Sequence, residues 1–193
     1  MPKDALLAAL AAIDAANAAD PNSEPDGRPA ALVYGQRMSK ELARRCPDAS
    51  EQLQIAARGQ HVERWKIART DYPDGRVGYL RWRTDQARAH AARVTGLMTD
   101  VGYGPEDRDR VARLLRKEGI KRNPEMQMLE DVICFVFLRW YFADFATKHA
   151  DEDIERIVAK TARKMSPETR TAALSEFDLP PALAACFAGD AEP

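Results

Sequence analysis

One apolar run, residues 132–138 with three aromatic residues close behind it, most constrains how this chain can fold. Arg139 and Asp144 interrupt the run well short of the roughly 20 apolar residues that a membrane span requires. A helix that is apolar on nearly every side is buried in a protein core. The run therefore predicts a core helix over about 125–148 rather than a segment that crosses a membrane.

The rest of the sequence favours helices over strands. Its 33 alanines outnumber the 16 valines and isoleucines, and alanine has the highest helix propensity whereas β-branched residues favour strands. Residues that commonly cap a helix indicate the start of the apolar helix at Asn123 and of two further helices at Ser50 and Ser166. We find no convincing strand, so the expected fold class is all-α.

The length of 193 residues suits a single domain. We expect one compact helical domain over residues 1–193, with its core in about 3–175 and a peripheral tail at 176–193.

The charges of the 29 basic and 30 acidic residues nearly cancel, which excludes a protein that binds nucleic acid through bulk charge alone. The three cysteines form no CxxC pair, and the N-terminus lacks the basic start and apolar stretch of a signal peptide. A reduced, cytoplasmic protein is therefore expected.

Two acidic residues, Glu130 and Asp131, stand where the apolar helix begins. An ionised carboxylate in such surroundings is unfavourable unless it meets a cation, a metal ion or several hydrogen-bond donors. The candidate partners are a metal ion bound by histidine, or an arginine such as Arg64 or Arg83.

Two of the three histidines, His61 and His90, fall inside predicted helices. Helical bundles build metal sites from inward-facing side chains of neighbouring helices. Imidazoles with a carboxylate suit zinc, iron, nickel or manganese, so His61, His90 and Asp131 form a candidate site for one divalent ion. Glu130 or Glu63 would assist there as a proton acceptor. The alternative is a network without metal, in which Asp131 accepts hydrogen bonds from a histidine and an arginine.

Arginines and aromatic residues alternate between Arg64 and Arg83, with few acidic residues among them. Arginine contacts phosphate and carboxylate groups in a planar, bidentate manner, and aromatic rings stack on bases. The segment therefore predicts a cationic rim that binds an anionic substrate through Arg64, Arg69, Arg76, Arg83, Trp65 and Trp82. The alternative is a solvated cationic face whose aromatic residues pack inward. A second basic group would extend the rim: Arg116, Lys117, Lys121 and Arg122.

The order of the candidate metal ligands resembles that in the HD superfamily of metal-dependent phosphohydrolases, which has an all-helical, HD-domain-like bundle. In that family a first His, a His-Asp pair and a later Asp surround one or two divalent metal ions. The resemblance implies that His61 is the first His, His90 the His of the pair and Asp131 the late Asp. Ala91 stands where the family has its bridging Asp. This departure implies a site with one metal ion, a ligand shifted to Glu130, or no metal.

Three motifs lie between residues 60 and 132, within a resemblance that covers nearly the whole chain: Gln60-His61…Arg64-Trp65, Tyr72-Pro73…Gly75-Arg76…Gly78-Tyr79-Leu80…Trp82-Arg83 and Leu129-Glu130-Asp131-Val132. They resemble an uncharacterised domain-of-unknown-function family of bacteria and fungi. Its fungal members are sometimes labelled glutamyl-tRNA synthetases, a label that the absence of a nucleotide-binding signature in this chain does not support. The resemblance implies the fold and the position of the site, but no reaction.

These patterns together favour a metal-dependent hydrolase of the HD type that acts on a small anionic, phosphorylated molecule. Two alternatives stay open. The first is a metal-free module that binds an anionic ligand or RNA through residues 64–83. The second is an iron oxygenase, since some proteins with the HD fold use paired iron to oxidise their substrates. No membrane partner is expected.

Overall fold

The computed structural model describes residues 3–120 and 122–188, and in these ranges the chain forms helices joined by turns. The expected all-α fold class is confirmed, since the described residues contain no strand beyond one isolated bridge between Ser23 and Pro29. The chain divides into two compact units, Met1–Ile120 and Lys121–Pro193. Two such units can belong to one domain, so the single domain over 1–193 stays a prediction.

In residues 3–120, the described part of the first unit, the chain forms five α-helices and two short 3₁₀-helices. The α-helices are α1 Lys3–Asn17, α2 Ala30–Arg45, α3 Glu51–Arg58, α4 Gly75–Asp100 and α5 Pro105–Leu115. The 3₁₀-helices, Arg64–Lys66 and Arg69–Asp71, lie between α3 and α4. The core is built from fully buried side chains of all five α-helices, among them Ile13, Met38, Ile55, Met98 and Leu114.

Local chemistry sets where the helices around the later site residues begin. The Ser50 hydroxyl accepts a hydrogen bond from the Leu53 amide at the start of α3, as its capping character predicts. Gly75 opens α4 with a φ of 84°, a conformation that glycine adopts without strain. Three residues later Gly78 packs so tightly that a Cβ there would lie 1.9 Å from the Pro73 carbonyl oxygen. These two glycines hold the preceding loop against the first turn of α4.

Over its described residues, 122–188, the second unit contains the apolar helix and four further α-helices. Its elements are α6 Pro124–Val136, a π-helix Phe137–Tyr141, α7 Phe142–Ala146, α8 Asp151–Ala162, α9 Pro167–Glu176 and α10 Pro181–Ala188. A hydrophobic cluster joins α6 and the π-helix to α8, α9 and α10. Asn123 and Ser166 accept backbone hydrogen bonds at the starts of α6 and α9, so both predicted helix starts are found.

Two features of the second unit differ from the sequence expectation. The helix expected over 125–148 changes to π-helical hydrogen bonding at Phe137–Tyr141 and ends at Ala146. The segment 176–193, expected as a peripheral tail, contributes α10, whose Leu183 and Phe187 are buried in the cluster; residues 189–193 lie outside the described ranges. Among the described helices, none is both long and apolar enough to span a membrane.

Candidate functional site

The turn after α3 carries His61 and ends at Glu63. Asn17, almost fully buried at the end of α1, accepts a hydrogen bond from the Glu63 amide at 3.0 Å and donates one to the Ala31 carbonyl at 3.4 Å. Glu63 has a φ of 50° and a ψ of 31°, a left-handed conformation that costs an L-residue free energy. Asn17 thus fixes the direction in which the chain leaves His61 and enters Arg64.

This turn brings the two histidines of the first unit together. His61 lies in the turn itself rather than inside a helix, whereas His90 is buried in α4 as expected. Their ring centroids are 6.3 Å apart. The His61 ring also stacks on Tyr34 of α2, with 3.7 Å between centroids and 13° between ring planes.

Arg64 follows the turn and lies on the aromatic surface of α4. Its guanidinium carbon is 4.6 Å from the centre of the Trp82 ring, a cation–π contact. The side chain is half-buried, and no carboxylate among the described residues forms an ion pair with it. Arg83 lies near enough for its charge to lower the pKa of Arg64 further, after burial as the main cause. Arg83 itself donates a hydrogen bond of 3.3 Å to the Tyr79 hydroxyl.

The surroundings hold both imidazoles neutral. Loss of hydration lowers the pKa of His61 well below its usual value, and the charge of Arg64 adds to the shift ahead of those of His90, Lys117 and Arg83. Burial lowers the pKa of His90 from 6.5 to about 3, with Arg64 again contributing. In the described part of the chain, every charge that shifts these two pKa values is positive. The local field therefore favours an anion.

Gln86 and His90 complete the group. The Gln86 side-chain nitrogen donates to the Arg64 carbonyl at 2.8 Å and to the Ile67 carbonyl at 2.9 Å. Its carbonyl oxygen is buried without a partner among the described residues, and so is Nε2 of His90. Buried polar atoms are nearly always hydrogen-bonded, so these two atoms need an explanation. We call the following residues the Arg64 site: His61, Arg64, Trp82, Arg83, Gln86 and His90.

Three predicted substrate-binding residues have other surroundings. Arg69 donates a hydrogen bond to the Tyr72 carbonyl at 2.9 Å, which closes the loop before α4. Arg76 is exposed in the first turn of α4, and Trp65 is partly buried in the first 3₁₀-helix. Among the described residues, none of the three forms a side-chain hydrogen bond, ion pair or ring contact with a residue of the Arg64 site. In the second basic group, the charge of Lys117 contributes to the lowered pKa of His61. Lys121 lies outside the described ranges.

Glu63, a predicted proton acceptor, uses both carboxylate oxygens in ion pairs. Oε1 lies 2.9 Å from Nζ of Lys66, and Oε2 lies 3.2 Å from Nε of Arg93. These contacts stabilise the left-handed turn. The catalytic role of Glu63 stays a prediction.

Asp131 lies in α6 of the second unit and is 2% exposed. Its Oδ1 accepts hydrogen bonds from the Ser166 amide at 2.8 Å and the Gln127 side chain at 3.0 Å, and its Oδ2 accepts one from the Thr169 hydroxyl at 3.0 Å. Three donors stabilise a buried carboxylate, and two of them, from Ser166 and Thr169, join α6 to the start of α9. Glu130 is buried beside it. The roles of both residues as metal ligand or base stay predictions.

A metal ion would find two neutral imidazoles in the first unit, the form in which histidine binds metals. Among residues 3–120 and 122–188, no group of three or more His, Cys, Asp and Glu side chains is arranged to hold an ion. The positive charges around His61 further oppose a divalent cation. A cation there would need additional anionic ligands.

No sequence pattern predicted Tyr34, Gln86 or Asn17 as a residue of the site. Gln86 lies one helical turn before His90, so their spacing of four residues on α4 indicated that both share one helix face. Tyr34 and Asn17 come from α2 and α1, and neither carries a local pattern that indicates its contact with the turn at His61.

Residues 7–186 match the model of a family described as a domain of unknown function, DUF4202. The match includes every residue of the Arg64 site and confirms the predicted resemblance to a family of that kind. No curated protein and no solved structure matches the chain. The relation to the HD superfamily stays a prediction.

Proposed function

We propose that this chain, which belongs to the DUF4202 family, binds a small anionic molecule, such as a phosphorylated metabolite, in the Arg64 site. The observation that carries the proposal is Arg64 itself, a half-buried guanidinium with no carboxylate partner among the described residues and with a second arginine nearby. A cation removed from water is unfavourable unless an anion neutralises it. A bound phosphate or carboxylate supplies that anion.

The aromatic neighbours suit this role. Trp82 fixes the guanidinium of Arg64 from one side, and its indole nitrogen donates to the Ile67 carbonyl at 3.0 Å, which fixes the ring in turn. An arginine held in one orientation loses less conformational entropy when it binds a planar or tetrahedral anion. The half burial of Arg64 favours a small anion over an RNA backbone. The RNA-binding alternative therefore depends on the exposed arginines of α4 rather than on this site.

Titration calorimetry with inorganic phosphate at constant ionic strength tests the proposal. We expect saturable binding by the wild-type chain and a loss of affinity of about tenfold or more in Arg64→Gln, because a charge-assisted hydrogen bond contributes about 1.5–3 kcal/mol. Arg88→Gln is the matched control, since Arg88 lies on α4 with its side chain 71% exposed. Equal affinities for the wild type and Arg64→Gln, or no binding by the wild type, would contradict the proposal.

A metal-dependent hydrolase remains the second candidate, and the pair of neutral imidazoles at 6.3 Å favours it. His61 and His90 would hold the ion, with further ligands from the bound anion or from water. A divalent ion there would activate a water molecule for attack on a phosphate ester. Metal analysis of protein purified without chelators tests this candidate. This candidate predicts a bound divalent ion that is lost in His61→Ala, and the absence of an ion or an unchanged metal content in that variant would overturn it.

A further inference from the structure

We infer that the ligand of the Arg64 site carries, besides its anionic group, a hydroxyl or N–H group that donates a hydrogen bond to Oε1 of Gln86. This inference rests on the proposed anion binding and narrows its substrate class to hydroxylated phosphate esters, such as polyol or sugar phosphates. It stands on the two buried side-chain atoms of α4 that have no partner among residues 3–120 and 122–188.

The orientation of the Gln86 amide is fixed by its neighbours. Its nitrogen donates to the carbonyl oxygens of both Arg64 and Ile67. A flipped amide would place the side-chain oxygen against two acceptors, so the unpartnered atom is the oxygen. Gln86 is only 2% exposed, and this oxygen is buried with no partner among the described residues. It can be satisfied only by a group that donates.

His90 lies four residues after Gln86 and therefore on the same face of α4. It is 5% exposed, and its Nε2 is buried without a partner in the described part of the chain. The charge of Arg64 acts on this imidazole, and the Arg64 carbonyl is bonded to Gln86. Gln86 and His90 thus present an acceptor oxygen and an imidazole nitrogen, both without a partner among the described residues, on one face of α4, and the backbone of Arg64 is bonded to the Gln86 side chain.

Each of these atoms restricts what can bind. The guanidinium requires an anion, whereas the Gln86 oxygen requires a donor, and the phosphate group of a monoester dianion has none. A site that leaves a buried polar atom unpaired discriminates strongly against a ligand that lacks the matching group. A phosphate ester with a neighbouring hydroxyl satisfies both, and the neutral imidazole can donate to or accept from a second hydroxyl.

Calorimetry at pH 8 with two esters of similar size tests the inference: glycerol 3-phosphate, which carries two hydroxyls, and n-propyl phosphate, which carries none. We expect the wild-type chain to bind glycerol 3-phosphate about tenfold more tightly or better. Gln86→Met and His90→Phe should each reduce this ratio toward one. Arg64→Gln should weaken both esters while it leaves the ratio largely unchanged.

The wild-type ratio needs no variant, so the test does not depend on the folding of Gln86→Met. Equal and measurable affinities for the two esters would overturn the inference and leave the proposed anion binding intact; this is also the result expected if water molecules satisfy the Gln86 oxygen. Failure of the wild type to bind either ester or inorganic phosphate would overturn the proposed function itself.

Discussion

The guanidinium carbon of Arg64 lies 4.6 Å from the centre of the Trp82 ring. Arginines removed from water usually form an ion pair with a carboxylate, whereas the half-buried Arg64 contacts an aromatic ring instead. The charge is therefore held in place but not neutralised. Such an arginine contributes little to the stability of the ligand-free protein and much to the binding of an anion.

Replacement of Arg64 should separate stability from binding. In Arg64→Gln, we expect the free energy of unfolding without ligand to change by no more than about 1 kcal/mol, because only a cation–π contact is lost and a repulsion with Arg83 is relieved. Urea denaturation in a buffer without phosphate or sulfate measures this. A loss above about 3 kcal/mol is the cost of breaking a buried ion pair, and it would show that Arg64 has an anionic partner within the fold.

The two histidines of the Arg64 site should stay neutral far below the usual range. The pKa of His90 is lowered to about 3, so this ring should not be protonated at pH 5. Burial also lowers the pKa of His61, so its protonation should move to a pH below the usual range. Imidazole ¹⁵N chemical shifts measured from pH 8 to pH 4 report this directly. Protonation of His90 near pH 6.5 would contradict the burial that the structure gives it.

The same burial makes stability depend on pH. The unfolded chain takes up a proton at His90 near pH 6.5, whereas the folded chain does so only near pH 3. Stability should therefore be complete above pH 6.5 and fall by about 1.4 kcal/mol per pH unit for this residue as the pH drops toward 3. Urea denaturation at pH 7 and pH 5 measures the slope. His90→Phe should reduce the slope, and His149→Gln, a change at an exposed histidine, should preserve it.

Asp131 should be important for the stability of the second unit. Asp131→Ala removes the acceptor for the Ser166 amide, the Thr169 hydroxyl and the Gln127 side chain. We expect the free energy of unfolding to fall by about 3 kcal/mol, with a smaller loss for Asp131→Asn, which keeps one carbonyl oxygen. Urea denaturation followed by circular dichroism checks this. If Asp131→Ala lowers the content of a bound metal without a loss of stability, the residue is a metal ligand rather than a link between helices.

The energetic cost of the left-handed backbone at Glu63 can be measured by comparing two variants that both lack its carboxylate. Glu63→Gly and Glu63→Ala both remove the ion pairs with Lys66 and Arg93. Only glycine adopts a φ near 50° without strain, so Glu63→Gly should be more stable than Glu63→Ala by about 1 kcal/mol. Equal stabilities from thermal denaturation would indicate that this turn relaxes to another conformation.

The sequence predicts most of the fold because local rules decide it. Ser50, Asn123 and Ser166 begin helices through hydrogen bonds within a few residues of chain, and such contacts depend only on neighbours in sequence. The π-helix at Phe137–Tyr141 follows α6 without a turn or breaker residue between them, so the sequence indicated one continuous helix there. Burial of Phe187 in the second unit depends on how α10 packs against α8.

The part of the candidate site that the sequence predicted consists of residues that lie close together along the chain. Arg64, Trp82 and Arg83 stand in one arginine-rich and aromatic segment, and that segment does contribute the cationic group. The donors to Asp131 were not predictable, because one of them is a backbone amide at the start of α9 whose position follows from tertiary packing. The stacking of Tyr34 on His61 joins α2 to a turn far along the chain and leaves no local pattern.

The most direct test of anion binding at Arg64 is the side-chain ¹⁵N–¹H spectrum of its Nε–H group, assigned with Arg64→Lys and followed as inorganic phosphate is added at constant ionic strength. We predict a saturable shift of the Arg64 signal with no comparable shift of the Arg88 signal. A phosphate titration in which the Arg64 signal stays in place, or moves no more than that of Arg88, would contradict the account.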